Sequence, residues 1–357
     1  MIESDAAFQP LVCVVVLNWN GWRDTIECLE SVFRLDYGQL RVVVCDNASS
    51  DDSMEKIGGW ANGHVTASCN VASLSHLVSP PIPKPVAFES ISALGVTNSS
   101  SGAQLVLIQT GANLGFAGGN NVGIRYALAC GDCDYIWLLN NDTVVEPDSL
   151  SRMVRMAEAD AKLSICGSQL RSYDPPHEVQ TMGGRRYSRW SGRTRPLRSL
   201  DTPRLSTSLG APDYVEGASM LISRRYLEAV GLLEESYFLY CEELDLVARG
   251  RPAFHFGFAP ESIVYHKEGA SIGSAEIRAN RSTLSEFYQA RNRIVFSRRY
   301  HPFFYPFVLA ATGLSALQRL ITGKPRNTAA IVRGAFASFS RRHSYGRVFD
   351  RSTGHSD

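Results

Sequence analysis

Leu11-Val12-Cys13-Val14-Val15-Val16-Leu17 is an unbroken apolar run closed by Asn18-Trp19-Asn20-Gly21. A run of strand length with no polar alternation predicts a strand buried on both faces, as in a parallel sheet. Residues 24–35 follow with Ile26, Leu29, Val32 and Phe33 at helical spacing, then Val42-Val43-Val44-Cys45 as a second strand and residues 53–60 as a second helix. This β-α-β-α opening predicts a parallel sheet with right-handed crossovers.

Outward from that opening, strands are expected at 105–109, at 135–139 in the centre of the sheet, and at 218–222. Helices are expected over 115–129, after Pro147, and over 224–230, 243–249 and 283–299. The stretch 70–102 contains Pro80-Pro81-Ile82-Pro83-Lys84-Pro85 and Asn98-Ser99-Ser100-Ser101-Gly102, and reads as an inserted, partly disordered surface loop. Residues 171–213, rich in Arg, Ser, Pro and Gly, read as a mobile loop or hairpin near the site.

Four polar stations close apolar runs. Val42–Cys45 leads to Asp46-Asn47-Ala48-Ser49-Ser50-Asp51, Tyr135–Leu139 to Asn140-Asn141-Asp142, Tyr237–Cys241 to Glu242-Glu243-Leu244-Asp245, and Ser262–Tyr265 to His266. Open α/β sheets bind ligands outside the carboxyl ends of their strands, so these stations predict an enzyme site. Asp46 suits either a ribose or pyrimidine N–H, or a turn capping the next helix. Asp142 is a hard oxygen ligand able to hold Mg²⁺ or Mn²⁺ together with diphosphate oxygens, and His266 tolerates Mn²⁺ better than Mg²⁺. Three acids at 242, 243 and 245 repel one another, and a partly buried one gains the raised pKa of a general base. The same acids also suit a helix N-terminus. Gly115-x-x-Gly118-Gly119 lacks the spacing of a dinucleotide fingerprint, but admits close backbone approach beside a helix N-terminus.

Composition agrees with a sizeable core: 44% of residues are hydrophobic and 20% charged, an ordinary soluble balance. The net charge of +1 conceals an asymmetry. From Ser271 onward there are 14 Lys and Arg against 4 Asp and Glu, leaving 22 against 31 before it. A basic C-terminal region on an acidic body suits an anionic membrane surface, and no nucleic-acid motif accompanies it. Phe303–Gln318 is 16 residues without charge, short of a membrane span, and reads as an interfacial helix flanked by Arg298, Arg299, Arg319, Lys324 and Arg326, or as a helix packed on the body. The scattered cysteines, the lone Cys130-x-x-Cys133 and an acidic N-terminus without a basic leader point to a reducing cytoplasm.

Taken in order, these segments resemble family 2 glycosyltransferases. They are Val14–Gly21, Asp46–Asp51, Asn113-Leu114-Gly115-Phe116-Ala117-Gly118-Gly119-Asn120, Leu138–Asp142, Gly217-Ala218-Ser219-Met220, Glu242–Leu246, Tyr265-His266-Lys267 and Tyr288–Arg293. The resemblance covers about residues 11–300 and implies a GT-A fold: an α/β mixed, mostly parallel sheet flanked by helices, with a C-terminal helical extension. It divides the chain into a nucleotide-sugar and acceptor domain at 1–270, with 70–102 inserted, and a basic helical region at 271–357.

By the same resemblance Glu243 is the catalytic base, Glu242 helps bind the acceptor, and Asp245 is structural or lies on the acceptor side. Asn18, Asp46, Asn47, Asn113, Gly115, Gly118, Asn120, Asn140 and Asn141 lie on the donor side, and Asp142 and His266 hold Mg²⁺ or Mn²⁺. The implied reaction is inverting transfer of a sugar, dTDP-L-rhamnose being the favoured donor, to a saccharide acceptor in surface polysaccharide or lipopolysaccharide synthesis. A lipid-linked acceptor at the inner membrane face would suit the basic C-terminal region. Asn140-Asn141-Asp142 departs from the family's D-x-D pattern, which keeps a catalytically silent sugar-nucleotide binder as the rival reading. A nucleotidyltransferase is disfavoured, because no basic Gly-rich loop follows the first strand.

Overall fold

The computed structural model describes residues 9–98, 103–198, 212–251, 253–268 and 282–340. The described chain divides into two compact units, one spanning 1–188 and 193–281, the other 189–192 and 282–357.

The larger unit opens with β1 (Val12–Asn18), α1 (Trp22–Val32), β2 (Leu40–Asp46) and α2 (Ser53–Ala61). It continues with β3 (Phe88–Ser92), β4 (Leu105–Gln109), α3 (Gly115–Cys130), β5 (Tyr135–Asn140), β6 (Thr143–Val145) and α4 (Ser149–Glu158). Then come β7 (Leu163–Ser172), β8 (Val179–Met182), β9 (Gly184–Tyr187), β10 (Thr194–Pro196) and β11 (Tyr214–Val215). It ends with β12 (Ser219–Ser223), α5 (Arg224–Val230), α6 (Glu242–Gly250) and β13 (His255–His266).

The main sheet runs β3-β4-β2-β1-β5-β12-β7-β13-β6, with β8 beside β7, and a second sheet runs β10-β9-β11. Strands β3, β4, β2, β1 and β5 are mutually parallel. The antiparallel strand β12 separates β5 from β7, and β13 lies parallel to β7. The carboxyl ends of β2, β5 and β13 therefore share one sheet edge.

Both faces of β1 are covered, which is why its sequence has no polar alternation. Val12, Val14 and Val16 pack with Ile26, Leu29, Ile57, Trp60 and Trp137. Val15 and Leu17 face α3, which approaches so closely that a Cβ at Gly123 would lie 2.5 Å from Val15 and one at Gly119 would lie 2.4 Å from Leu17. Each fully buried Val or Leu contributes about 1.5–3 kcal/mol.

Two expectations are corrected here. The 70–102 stretch is largely ordered rather than a loose insertion, its residues 99–102 lying outside the described residues. Leu74, Leu77 and Val78 are buried with Val144, Tyr173 and Tyr265, and residues 88–92 form the edge strand β3. The proline run between them is pinned to α1, where Glu30 accepts from Trp60 Nε1 at 2.9 Å and Ile82 N at 3.0 Å, and Lys84 Nζ sits 3.2 Å above the Trp60 ring centre. Second, Tyr237–Cys241 is not a strand. After a 3₁₀ turn at Glu235–Tyr237, Phe238, Tyr240 and Cys241 all take positive φ (63°, 70° and 75°), a conformation costly for side chains with a Cβ. Its apolar residues, Tyr237 and Leu239, are buried in a kinked loop instead.

The smaller unit contains α7 (Thr283–Tyr300), α8 (Tyr305–Ile321) and α9 (Pro325–Ala337). The Ser282 hydroxyl caps α7 by accepting from Ser285 N at 3.2 Å. Gly334 lets α9 cross close to α7, since a Cβ there would lie 2.3 Å from the Phe287 carbonyl. Arg319, expected at an exposed flank, is buried and donates through Nε to Glu286 at 2.7 Å. With that charge paired inside, the apolar stretch continues past Gln318, and Pro302–Ile321 is long and apolar enough, by length and composition, to cross a membrane (20 residues, mean hydropathy 1.2). Only 28% of it is buried. Trp190 packs edge-on against Phe304 and Phe307, with ring centres 4.9 Å apart in each pair.

Candidate active site

At the β1–β2 edge, Asn18 and Asp46 are register partners, and Asn18 Nδ2 donates to Asp46 Oδ1 at 2.7 Å. Asp46 also accepts from the hydroxyl (2.6 Å) and the N–H (3.1 Å) of Ser49, which closes the turn expected from the short polar residues. Thr25 donates to Asn18 Oδ1 at 2.8 Å, so Asn18 is locked on both sides.

Asn47 staples this turn to the start of α3. Its amide donates to Asn113 Oδ1 and to the Gly115 carbonyl, both at 3.1 Å, and accepts from Leu114 N at 2.9 Å. Gly115 (φ 71°) has the space of its missing Cβ filled by Phe238, whose carbonyl would lie 2.4 Å away and also accepts from Phe116 N at 2.7 Å. The corresponding space at Gly118 is filled by Leu114. Asn120 is buried and donates to the Phe116 carbonyl at 2.9 Å. At Gly115 and Gly118 the missing side chains make room for protein, and Asn120 bonds within its own helix.

After β5, Asn141 turns back to α1, donating to Thr25 Oγ1 at 3.1 Å. Asn140 and Asp142 meet His266, from the end of β13, on one nitrogen: Nε2 lies 3.4 Å from Asn140 Nδ2 and 3.3 Å from Asp142 Oδ1. Its other nitrogen, Nδ1, is 3.1 Å from Gln180 Oε1, an acceptor that fixes the ring with a proton on Nδ1. Gln180 Nε2 also donates to the His266 carbonyl at 2.9 Å. Such a partner commonly orients a metal-ligating histidine. With Nδ1 protonated, Nε2 and Asp142 Oδ1 are two acceptors side by side, and a cation or a proton relieves that contact.

Burial works against charge on both groups, yet each stabilises the other. His266, the hydrogen bond to it and Lys267 hold the Asp142 carboxyl below its ordinary range, and Asp142 raises the His266 imidazole above its own. Among the described residues no group of three His, Cys, Asp or Glu is placed to hold a metal ion. A divalent ion held by Asp142 and His266 would therefore need oxygens from a bound diphosphate, as is usual for Mg²⁺ at phosphate sites.

The acids of α6 have separate fates. Asp245 is fully buried, accepts from Arg249 Nε at 2.7 Å and lies 3.4 Å from the Tyr237 hydroxyl. Arg249 in turn donates to the carbonyls of Val230 and Leu232 at 2.7 and 2.6 Å. Asp245 thereby holds an arginine clamp, in keeping with the structural one of the two roles expected of it. Glu242 is buried, and its Oε2 has no hydrogen-bond partner among the described residues. Burial and then the charge of Glu243 raise its pKa well above the ordinary range.

Glu243 lies over Gly217: a Cβ there would be 2.6 Å from its Oε1. Burial, with a smaller contribution from Glu216, pushes its carboxyl up to about 7, while its own N–H, the Gly217 N–H and Arg185 pull the other way.

Three residues of this neighbourhood escaped the sequence reading. Arg185 donates through Nη1 to Glu216 Oε1 at 2.9 Å, and Glu216 raises the pKa of both Glu243 and His266. Gln180 orients His266. The sequence signal available for Arg185 and Gln180 was the Arg-rich hairpin expected near the site, and for Glu216 its place before the Gly217-Ala218-Ser219-Met220 motif.

Comparison with known proteins bears on the fold and on one segment of the chain. Residues 97–229 match the model of glycosyl transferase family 2. That segment includes Asn113, Gly115, Gly118, Asn120 and Asn140–Asp142, while Asn18, Asp46, Glu243 and His266 lie outside it. The chain is 30% identical over 147 residues to the low-salt glycan biosynthesis hexosyltransferase of Haloferax volcanii. That match covers 40% of this chain and 45% of the relative, so the chain spans less than half of the relative's length.

Among solved structures, the mannosyltransferase of Pyrobaculum calidifontis in complex with GDP-Man and Mn²⁺ covers 94% of this chain and 89% of its own, at 15% identity and a TM-score of 0.52. GalNAc-T7 with UDP, GalNAc and Mn²⁺ covers 90% of this chain and 54% of its own, at 12% identity and a TM-score of 0.54. At these identities the likeness is one of fold: a mixed, mostly parallel sheet flanked by helices, of GT-A type, with a helical C-terminal region. The family likeness is thus carried by residues 97–229, with a GT-A-type fold around them: over that segment the chain is similar to glycosyl transferase family 2.

Proposed function

We propose that the protein is an inverting glycosyltransferase that moves a sugar from a nucleoside-diphosphate donor to a hydroxyl of a saccharide acceptor. The observation that carries the reading is Glu243, a half-buried carboxyl with a pKa of about 7, electrostatically linked through Glu216 to the Asp142–His266 pair. A base is most effective when its pKa lies near the working pH.

In this reading the acceptor O–H gives its proton to Glu243 as its oxygen attacks the anomeric carbon. The bond from that carbon to the diphosphate oxygen breaks on the opposite face, inverting the centre. Asp142 and His266 would hold Mg²⁺ or Mn²⁺, which would supply positive charge to the leaving diphosphate. Asn18 and Ser49 hold the Asp46 carboxylate at the strand edge where it would accept from the nucleoside. Asn47 and Asn113 hold the adjoining turn.

The favoured donor is dTDP-L-rhamnose, as the family resemblance implies, and the product is a surface glycan, in keeping with the glycan-biosynthesis relative. The place of action is the inner face of the cell membrane, with a lipid-linked acceptor. Supporting this is the helical region itself, where Phe303, Leu314, Ile321 and Phe336 are 65–77% exposed and Arg298, Arg299, Arg326 and Arg333 are also exposed. Flotation with anionic vesicles, lost when Phe303 and Ile321 become Ser, checks the membrane part.

Calorimetry with dTDP-rhamnose, UDP-glucose, UDP-galactose and GDP-mannose, with and without Mn²⁺ or Mg²⁺, tests the core of the reading. One donor should bind in a metal-dependent way, and Asp142→Ala should abolish that dependence. Tight binding without turnover would favour the silent sugar-nucleotide binder, and no binding by folded protein would remove the nucleotide-sugar reading.

A further inference from the structure

We propose that Arg185 and Glu216 form a positioning and tuning pair that sets the protonation of Glu243, so that the working pH range of the enzyme is written in the β9–β11 sheet. The proposal rests on the reading of Glu243 as the base and adds the two residues that govern it.

The geometry begins with strand register. β11 pairs antiparallel with β9, Tyr214 opposite Arg185 and Val215 opposite Gly184. Glu216 is the next residue after β11, and Arg185 Nη1 meets its Oε1 at 2.9 Å while Arg185 Nε reaches Thr194 Oγ1 of β10 at 3.3 Å. All three strands of the small sheet therefore fix the ion pair. The residue after Glu216 is Gly217, whose missing side chain leaves the space that Glu243 fills, with Oε1 2.6 Å and Cγ 3.2 Å from where its Cβ would be. One dipeptide thus carries both the floor under Glu243 and the charge beside it. Both side chains of the pair are mostly buried (18% and 24% exposed), so their fields are weakly screened.

The pair is also incompletely satisfied. Glu216 Oε2 has no hydrogen-bond partner among the described residues. Arg185 thus holds one oxygen of the carboxyl, and the other faces its surroundings unheld. The charged and titratable groups facing Glu243 are Glu216, Arg185, Tyr214 from β11 and Glu242 from its own helix. Tyr214 is neutral at working pH, because burial raises its phenol well above the ordinary range. Arg185 and Glu216 act on Glu243 with opposite signs, and the Arg185 charge is permanent.

The test is the pH profile of kcat/KM for transfer. Glu216→Gln removes the negative neighbour and should move the acid limb down by roughly half a unit to one unit. Arg185→Met removes the positive neighbour and should move it up by a similar amount. Those shifts correspond to about 3–10-fold gains and losses of activity near pH 6. Arg185→Lys, which keeps the charge, should leave the limb near its native position. The double variant Arg185→Met/Glu216→Gln should fall between the single ones.

A merely structural role would lower kcat without moving the limb, or move it in the same direction in both variants. Either outcome overturns the proposal. Glu243→Gln keeps the two ideas apart. If it retains turnover, the base is misassigned; if it is inactive while the limb ignores Arg185 and Glu216, the tuning pair alone fails.

Discussion

Glu243→Gln should cost activity and return stability, and the stability gain should depend on pH. In the folded chain the Glu243 carboxyl has a pKa of about 7 against an ordinary 4.5. A raised carboxyl pKa means the folded state holds its proton over a pH range where the unfolded chain has released it. Below pH 4.5 both states are protonated and the group is neutral to stability. Between 4.5 and 7 the folded state is progressively penalised, and above 7 the full penalty applies.

At about 1.36 kcal/mol per unit, the ceiling is roughly 3 kcal/mol, reduced because Glu243 keeps some access to water. Glutamine has the shape without the charge. Urea denaturation at pH 5 and pH 8 should therefore show Glu243→Gln gaining about 1–2 kcal/mol more over the native protein at pH 8 than at pH 5. Part of that gain comes from Glu242, whose own carboxyl is raised by burial and then by the Glu243 charge. Over the same substitution, turnover should fall about 10²–10⁴-fold, the usual contribution of a general base. A stability difference that is the same at the two pH values would refute the reasoning, because it would mean that no buried charge is imposed on Glu243 above pH 7.

Asp245→Asn should act on the fold rather than on acceptor affinity. Leaving the Arg249 charge without its counter-charge should cost about 3–5 kcal/mol in denaturation, with KM for the acceptor unchanged in whatever folds. Gly119→Ala should cost about 1–3 kcal/mol by thermal unfolding, since its methyl would fall 2.4 Å from Leu17 and would push α3 off the sheet. Gln180→Leu should weaken Mn²⁺ binding about 10–100-fold, read by titration calorimetry in the presence of nucleoside diphosphate, by freeing the His266 ring.

The parts of the site that the sequence displays are those placed by regular strands. Asp46, Asn140 and His266 each end an apolar run, and register alone carries them to one edge. The parts it hides are of two kinds. Tyr237–Cys241 has the composition of a strand, but its backbone is decided by Phe238 docking on Gly115 and Phe116, a contact between segments far apart in the chain. Asp245 and Glu243 are two residues apart on one short helix, yet one is spent on Arg249 and the other is left over Gly217. Local spacing cannot separate those roles, because the partners lie on other elements. The 70–102 stretch misleads for a related reason: its prolines resemble a linker, while the Glu30, Trp60 and Lys84 contacts that order it are long-range.

The placement of β12 between β5 and β7 has a consequence in time. Asp142 follows the fifth strand of the sheet, but its partner His266 closes the last, 124 residues later. At about 5–20 residues per second of synthesis, the histidine emerges on the order of 6–25 s after the aspartate. During that interval the parallel half of the sheet can form with Asn18, Asp46 and Asn47 already locked at its edge. The segment bearing Glu243 and His266 arrives afterwards, so on the proposed reading a nascent chain acquires its nucleoside-facing edge well before it can perform chemistry.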